Sequence, residues 1–224
     1  DTIETIFRSA WGNQASERRY QTTLRYYDTT EFDLFQSGIT LRTLDECLPH
    51  FSSMLDIKTK GCSDSHGILM RDEYEFDNPS GTLDLSAITD REAKKLLKPA
   101  DGKTLAEVFK TVTRRLEICM AFNIAGRKAT IELALDELDI IATDDTSTLR
   151  HAFEVEIEFK QKESDASFTR EEAAEIITEI ADIFAGHVQL KPLLESRAEA
   201  GFRLYAAQKS GGSADAPPPP KPCR

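Results

Sequence analysis

Seven segments of the chain alternate apolar with polar residues, and the polar positions of nearly every segment are charged. The clearest runs from Phe153 to Lys160 and reads Phe-Glu-Val-Glu-Ile-Glu-Phe-Lys. A β-strand has a side-chain period of two, so the three glutamates and the lysine share one face. Alternation of this kind predicts strands at about residues 20–28, 38–45, 53–60, 67–77, 111–124, 129–141 and 152–160.

Other segments have apolar residues at helical spacing. Thr169 and Glu172 form a capping box before one of them, and Gly186 follows its last apolar residue. Pro192 stands in the first turn of another. The spacing predicts helices over about residues 1–15, 86–110 (broken at Pro99 and Asp101-Gly102), 170–185 and 192–208.

The order of these elements indicates an α+β protein. Adjacent strands are mostly joined as hairpins, with Gly126-Arg127 as one turn, so the sheet is predicted to be antiparallel and to close into a β-barrel flanked by helices. We assign residues 1–208 to one domain. Residues 209–224 are rich in glycine, serine and proline, cannot bury apolar area, and are predicted to be a disordered tail or linker.

Two orientations of the sheet are compatible with this pattern. In an ordinary small barrel the apolar face points inward and the charges meet water. In the other orientation the charges line the lumen and the helices cover the apolar exterior. The segregation of sign favours the second, because basic residues dominate the early strands and acidic residues the last two. The charged strand positions are Arg42, Lys58, Lys60, Arg71, Glu73, Glu75, Arg115, Glu117, Glu132, Asp136, Glu154, Glu156 and Glu158.

The net charge narrows the class of partner, and the cysteine spacing indicates the redox environment. The 224 residues carry a formal net charge of −11, which argues against a nucleic-acid or anionic membrane surface as the partner. No apolar run reaches the length of a bilayer span. The four cysteines show no CxxC spacing, which favours a reduced, cytoplasmic protein.

A lumen lined by both basic and acidic side chains can bind phosphate groups and metal ions together. Arginine and lysine bind phosphate oxygens through charge-assisted hydrogen bonds. Clustered carboxylates bind Mg²⁺ or Mn²⁺, which neutralises charge during phosphoryl transfer. The sequence contains neither a P-loop nor a GxGxxG motif, so it lacks the common glycine-rich loops that bind the phosphates of nucleotides. The pattern therefore predicts a site for a polyanion together with a divalent metal.

At these residues the chain resembles the CYTH family, the triphosphate tunnel metalloenzymes, in its bacterial inorganic triphosphatase type. The matching elements occur in the family's order over about residues 20–205. They are Tyr26-Tyr27-Asp28-Thr29 with Gly38 to Arg42, Leu55 to Gly61, Arg71 to Glu75, Phe109 to Ile118, Glu132 to Asp136, Glu154 to Glu158, and Leu190-Lys191-Pro192 with Glu195 to Glu199.

The resemblance implies an antiparallel tunnel that hydrolyses a triphosphate, inorganic triphosphate being favoured, with Mg²⁺ or Mn²⁺. Lys58 and Arg115 would be catalytic. The residues implied to bind the triphosphate or polyphosphate anion are Arg42, Lys58, Arg71, Arg115, Lys191 and Arg197. The implied metal ligands are Glu73, Glu75, Asp136, Glu154, Glu156 and Glu158.

Three other interpretations stay open at this stage. The same scaffold serves a class of adenylate cyclase, and it could also serve as a non-catalytic polyphosphate-binding module that precedes a helical, polyphosphate-associated domain. A plain acidic barrel without an anion site is the third. The family opens with an E-x-E-x-K strand that is not found near the start of this chain, so we expect the first strand to lie before Asp1. The second arginine of the family's L-R-x-R element is also absent, because Thr43 and Leu44 follow Arg42.

Overall fold

The computed structural model describes residues 16–46, 53–63, 68–124, 126–144, 146–160, 168–191, 193 and 195–209. The predicted helix over residues 1–15 and the predicted tail beyond Lys209 therefore lie outside the described residues. The strands are β1 (Ser16–Asp28), β2 (Ile39–Glu46), β3 (Met54–Thr59), β4 (Cys62–Ser63), β5 (Leu69–Met70), β6 (Glu73–Asp77), β7 (Ala106–Ile124), β8 (Arg127–Ala142) and β9 (Thr148–Lys160).

Four α-helices lie within the described part of the chain. They are α1 (Asp33–Gln36), α2 (Arg91–Leu96), α3 (Arg170–Ala185) and α4 (Arg197–Lys209), and single 3₁₀ turns occupy Leu85–Ala87 and Lys98–Ala100. The capping box of α3 is confirmed, since the Thr169 hydroxyl accepts from the Glu172 N–H while the Glu172 carboxylate accepts from the Thr169 N–H. None of the described helices is both long enough and apolar enough to span a membrane.

Seven strands form one antiparallel sheet in the order β6-β3-β2-β1-β7-β8-β9, and β4 and β5 pair separately. The α+β class and the antiparallel sheet are confirmed. Gly126, with φ of 81°, lies in the tight turn between β7 and β8, where a positive φ is easily adopted only by glycine.

The sheet is strongly curled although its hydrogen bonding does not close. In a flat sheet the edge strands β6 and β9 would lie about 29 Å apart. Burial raises the pKa of Glu158 on β9, and the charge of Glu73 on β6 adds to that rise. Charges interact appreciably over only about 10 Å, so the two edges must approach each other. Among the described residues β6 and β9 do not pair, and the predicted closed barrel is therefore not confirmed.

The apolar face of the sheet is covered by helices. Ile180 and Phe184 of α3 pack on Ile118, Ile131 and Leu133, all of which are buried. On the other half of the sheet the region around α1 and α2 covers a second buried cluster that contains Leu41, Leu55 and Ile57. The opposite face carries the charged positions listed above, and we call it the polar face. The charges thus lie on the side opposite the two helix-covered clusters.

At one end of the polar face the lining becomes aromatic. Phe202 of α4 packs edge-on against Phe109 of β7, which stacks on Tyr26 of β1 with ring centroids 4.4 Å apart. The backbone of Gly201 lies directly against the Phe109 ring. Helix α4 therefore covers this end of the polar face.

Three predicted boundaries were wrong. The segment Ala106–Lys110, predicted to be helical, is the start of β7, because it pairs with both β1 and β8. The strand predicted at 67–77 is interrupted at Arg71 and Asp72, which divide β5 from β6. Helix α4 begins at Arg197 and not near residue 192, and Leu193 and Glu195 precede it.

Candidate active site

The first half of the polar face holds two ion pairs, in each of which one partner, Asp56 or Lys58, is buried. The Arg42 Nε of β2 donates to both Asp56 oxygens of β3, at 2.7 and 2.8 Å. Cross-strand pairing of these two residues sets that contact. Two residues further along β3, the Lys58 ammonium lies 2.7 Å from Glu73 of β6, which also accepts from Arg71 at 2.9 Å. Arg42, Lys58 and Arg71 therefore each face a carboxylate.

Lys58 has an unusual protonation equilibrium. Burial of its ammonium, together with the positive charges of Arg42 and Arg71, lowers its pKa to about 8, although Asp56 and Glu73 oppose the shift. We predict that the Lys58 side chain titrates with a midpoint near pH 8 in the metal-free protein. Lysine NMR signals followed from pH 6 to 11 would measure it, with Lys58→Arg identifying the signal. A midpoint above pH 10 would contradict the buried position of Lys58.

The second half of the polar face carries a denser network, which we call the central ion-pair cluster: Arg115, Arg197, Asp136, Glu154 and Glu156. Arg115 donates to Asp136 through Nε at 2.9 Å and Nη2 at 2.7 Å, and to Glu156 at 2.5 Å. Arg197 donates to Glu154 at 2.6 Å and to Asp136 at 2.5 Å, and lies 3.5 Å from Glu156.

Strand register and the position of α4 assemble this cluster. Arg115 of β7 pairs with Asp136 of β8, which pairs with Glu154 of β9, so the three side chains lie side by side. Arg197 is the first residue of α4 and reaches the same carboxylates from outside the sheet. Burial opposes ionisation of Glu156, but the charges of Arg197 and Arg115 outweigh it and lower its pKa to about 2.

A third group of polar residues lies beyond Arg115 along β7. The buried Glu117 carboxylate accepts from Tyr20 at 2.5 Å and from Arg18 at 2.6 Å. One atom each of Glu117, Cys119 and Glu132 lies within 4.8 Å of the others, so this buried acidic cluster could hold a metal ion. Burial and the neighbouring Glu117 raise the pKa of the Cys119 thiol to about 11, so the group is a thiol near neutral pH.

The carboxylates of the central ion-pair cluster fit a hard divalent cation. Asp136, Glu154 and Glu156 each place an oxygen within 3.5 Å of Arg197 nitrogens, so three anionic oxygens converge on one small volume. Carboxylate oxygens are the ligands that Mg²⁺ and Mn²⁺ prefer. The cluster thus offers suitable oxygen ligands for a metal ion, although guanidinium groups bind these oxygens in this structure.

The predicted site residues divide into four groups. The structure brings Arg115, Arg197, Asp136, Glu154 and Glu156 into direct contact, and it brings Lys58, Arg71 and Glu73 together nearby. Arg42 lies on the same face but is paired with Asp56. The remaining three are more peripheral: Glu75 and Lys191 are exposed, and Glu158 lies 3.5 Å from Lys160.

The sequence prediction missed several residues of the polar face. Asp56 shares the face of Lys58, and the same alternation that singled out Lys58 could have identified it. Glu117 and Glu132 were recognised as polar strand positions but were not assigned to the site. Their contacts with Arg18, Tyr20 and Lys160 join different strands, and no local pattern reveals them.

Comparison with known proteins gives a likeness of fold. No family model matches the sequence, and no curated protein matches it. A proposed adenylate cyclase from Bacillus halodurans superposes with a TM-score of 0.52 at 16% identity, over 90% of this chain and 91% of that chain. A proposed adenylyl cyclase from Hippeastrum, described as having a dominant triphosphatase activity, superposes with a TM-score of 0.50 at 16% identity, over 96% and 93%. The chain therefore shares its fold with these two proteins.

Proposed function

We propose that this protein hydrolyses a triphosphate, inorganic triphosphate being favoured, with Mg²⁺ or Mn²⁺ on the polar face of its curled sheet. The observation that carries the proposal is the central ion-pair cluster, where two guanidinium groups and three carboxylates meet at one mostly buried place. The fold likeness to a protein described as having a dominant triphosphatase activity supports it. Buried networks of this kind are costly to build, which favours a functional role.

The basic residues would position the substrate. Arg115 and Arg197 present planar forks that match phosphate oxygens, while Lys58 and Arg42 would hold the other end of the phosphate chain. Phosphoryl transfer depends mainly on positioning and on stabilising the charge that develops on the phosphate oxygens. Fixed guanidinium groups on a partly dehydrated face supply this stabilisation without reorganising during the reaction.

The carboxylates Asp136, Glu154 and Glu156 would hold the metal. Glu73 and Glu158 lie on the two edge strands of the sheet, β6 and β9. When bound, a divalent cation neutralises phosphate charge and makes water a better nucleophile near neutral pH. The attacking group is proposed to be water, because the one free cysteine of the described polar face, Cys119, is a protonated thiol at that pH.

Phosphate release is the direct test of this proposal. The chain would be incubated with tripolyphosphate, thiamine triphosphate and ATP, in Mg²⁺, in Mn²⁺ and in EDTA. We expect metal-dependent release of phosphate, fastest from tripolyphosphate. Each assay would be repeated with upstream sequence added, because the CYTH family opens with an E-x-E-x-K strand that is not found near the start of this chain.

The products distinguish the alternatives. Cyclic AMP and pyrophosphate from ATP would favour a cyclase, the activity proposed by name for both structural neighbours. Binding of polyphosphate without turnover, with and without the upstream sequence, would favour a binding module. If the protein neither binds nor hydrolyses any of these anions, the presence of an anion site is contradicted.

A further inference from the structure

In the ligand-free protein the oxygens assigned to the metal are already engaged by the groups assigned to the phosphate. Asp136 is the clearest case, because its side chain is fully buried. Its Oδ1 accepts from Arg115 Nε, and its Oδ2 accepts from Arg115 Nη2 at 2.7 Å and from Arg197 Nη2 at 2.5 Å. An oxygen with two donors has both lone pairs in use. A metal ion cannot bind this oxygen unless a guanidinium group leaves it.

The same competition holds for the neighbouring carboxylates. Glu156 accepts from Arg115 at 2.5 Å and faces Arg197 at 3.5 Å, while Glu154 accepts from Arg197 at 2.6 Å. Glu156 is half exposed, whereas Asp136 and Glu154 are not. Glu156 is therefore the member of the cluster most open to an arriving ligand.

The charge balance opposes a phosphate that arrives alone. At the centre of the network the guanidinium groups of Arg115 and Arg197 are shared by four carboxylates, those of Glu132, Asp136, Glu154 and Glu156. A polyanion would have to take both guanidinium groups away from Asp136, whose carboxylate would then be buried without a basic partner among the described residues, whereas Glu132 would keep Lys160 and Glu154 would keep Arg150. Leaving a buried charge without a partner is costly.

We infer that the metal and the phosphate bind this site as a coupled pair, because the metal releases Arg115 and Arg197 from the carboxylates and so makes them available to the phosphate. This inference rests on the proposed function. A divalent cation would take the place of the guanidinium groups at Asp136, Glu154 and Glu156. The released guanidinium groups would then bind the phosphate oxygens. Coupling of two ligands is reciprocal, so the phosphate strengthens metal binding by the same factor.

Glu156→Gln separates this exchange from an ordinary metal-ligand role. The substitution keeps the shape of the side chain and removes one of the charges that hold Arg115 and Arg197. If the carboxylates restrain the guanidinium groups, the variant binds the anion more tightly than the parent when no metal is present. A residue that only ligates metal would have no such effect in EDTA.

The experiment is calorimetric titration with imidotriphosphate, a tripolyphosphate analogue that resists hydrolysis, in EDTA and in Mg²⁺ at about 0.15 M ionic strength. In EDTA we expect Glu156→Gln to bind at least about fivefold more tightly than the parent. In Mg²⁺ we expect the parent to gain more affinity than the variant does. The matched control is Glu137→Gln, which removes one charge beside Asp136 on β8 but lies on the opposite face of the sheet and pairs with Arg114 at 3.0 Å. We expect it to change affinity in EDTA by less than about twofold.

Each remaining outcome overturns something specific. Equal gains in Glu156→Gln and Glu137→Gln would show a general charge effect and would overturn the exchange. An unchanged affinity of Glu156→Gln in EDTA, with Mg²⁺-dependent binding intact in the parent, would overturn the exchange and leave the proposed function standing. Absence of binding by parent and variants in both solutions would overturn the proposed function as well.

Discussion

Replacing Arg115 by alanine is expected to lower phosphate release from tripolyphosphate by about two to three orders of magnitude. This is the usual effect of removing one preorganised donor that stabilises developing charge. Arg115 has a central position, because its fork reaches Asp136 and Glu156 and lies 3.8 Å from Glu132. The measurement is phosphate release at saturating metal with the substrate panel described above.

The structure changes the expected effect of this substitution on stability. An arginine that only bound phosphate would contribute little to the fold. Its two hydrogen bonds to the fully buried Asp136 show that Arg115 also compensates a buried charge. After its removal, Arg197 is the one basic partner of Asp136 among the described residues. We therefore expect a measurable loss of thermal stability as well. Arg115→Lys should recover part of the stability but little of the rate, since lysine cannot donate through a planar fork.

Arg114 is the matched control for this prediction. It precedes Arg115 on β7, points to the opposite face, is mostly exposed, and pairs with Glu137 at 3.0 Å. Exposed ion pairs contribute little to stability, so Arg114→Ala should change neither the rate nor the unfolding temperature appreciably. An Arg115→Ala protein with the parental rate would remove Arg115 from the mechanism. Equal losses in both variants would show that the effect arises from β7 itself.

The composition of the two faces could be predicted from the sequence because it depends only on the period of the strand. Arg115 and Asp136 lie on one face and Ile118 and Leu133 on the other, as alternation requires. The capping box of α3 was equally local and equally predictable. In each case the residues that determine the structure lie within a few positions of one another in the chain.

Partners and boundaries that depend on distant segments could not be predicted in this way. The apolar spacing of Leu105, Val108 and Phe109 suits a helix as well as a strand, and only the pairing of Phe109 with Tyr26 and Ala142 decides for β7. The contact of Arg197 with Asp136 joins residues 61 positions apart. The CYTH resemblance indicated that Arg197 belonged to the site, but it did not indicate that a carboxylate would be its partner.

Gly201→Ala is expected to destabilise the protein by about 3 kcal/mol, the upper part of the range for an overpacked core. A Cβ atom at this position would lie 2.1 Å from Cε2 and 2.2 Å from Cζ of Phe109. The ring cannot easily move away, because it is fully buried, stacks on Tyr26 and meets Phe202 edge-on. Helix α4 would have to shift, and Arg197 at its start would move with it.

Thermal and urea unfolding would measure the loss of stability, and phosphate release would show whether the site is disturbed as well. Gly186→Ala is the control, because its Cβ would meet only backbone oxygens at 3.5 and 3.7 Å, which are ordinary contact distances. We expect this second variant to unfold within about 0.5 kcal/mol of the parent. Unchanged stability in Gly201→Ala would mean that α4 does not pack on Phe109. A loss of stability with full activity would mean that α4 supports the fold but does not hold Arg197 in the site.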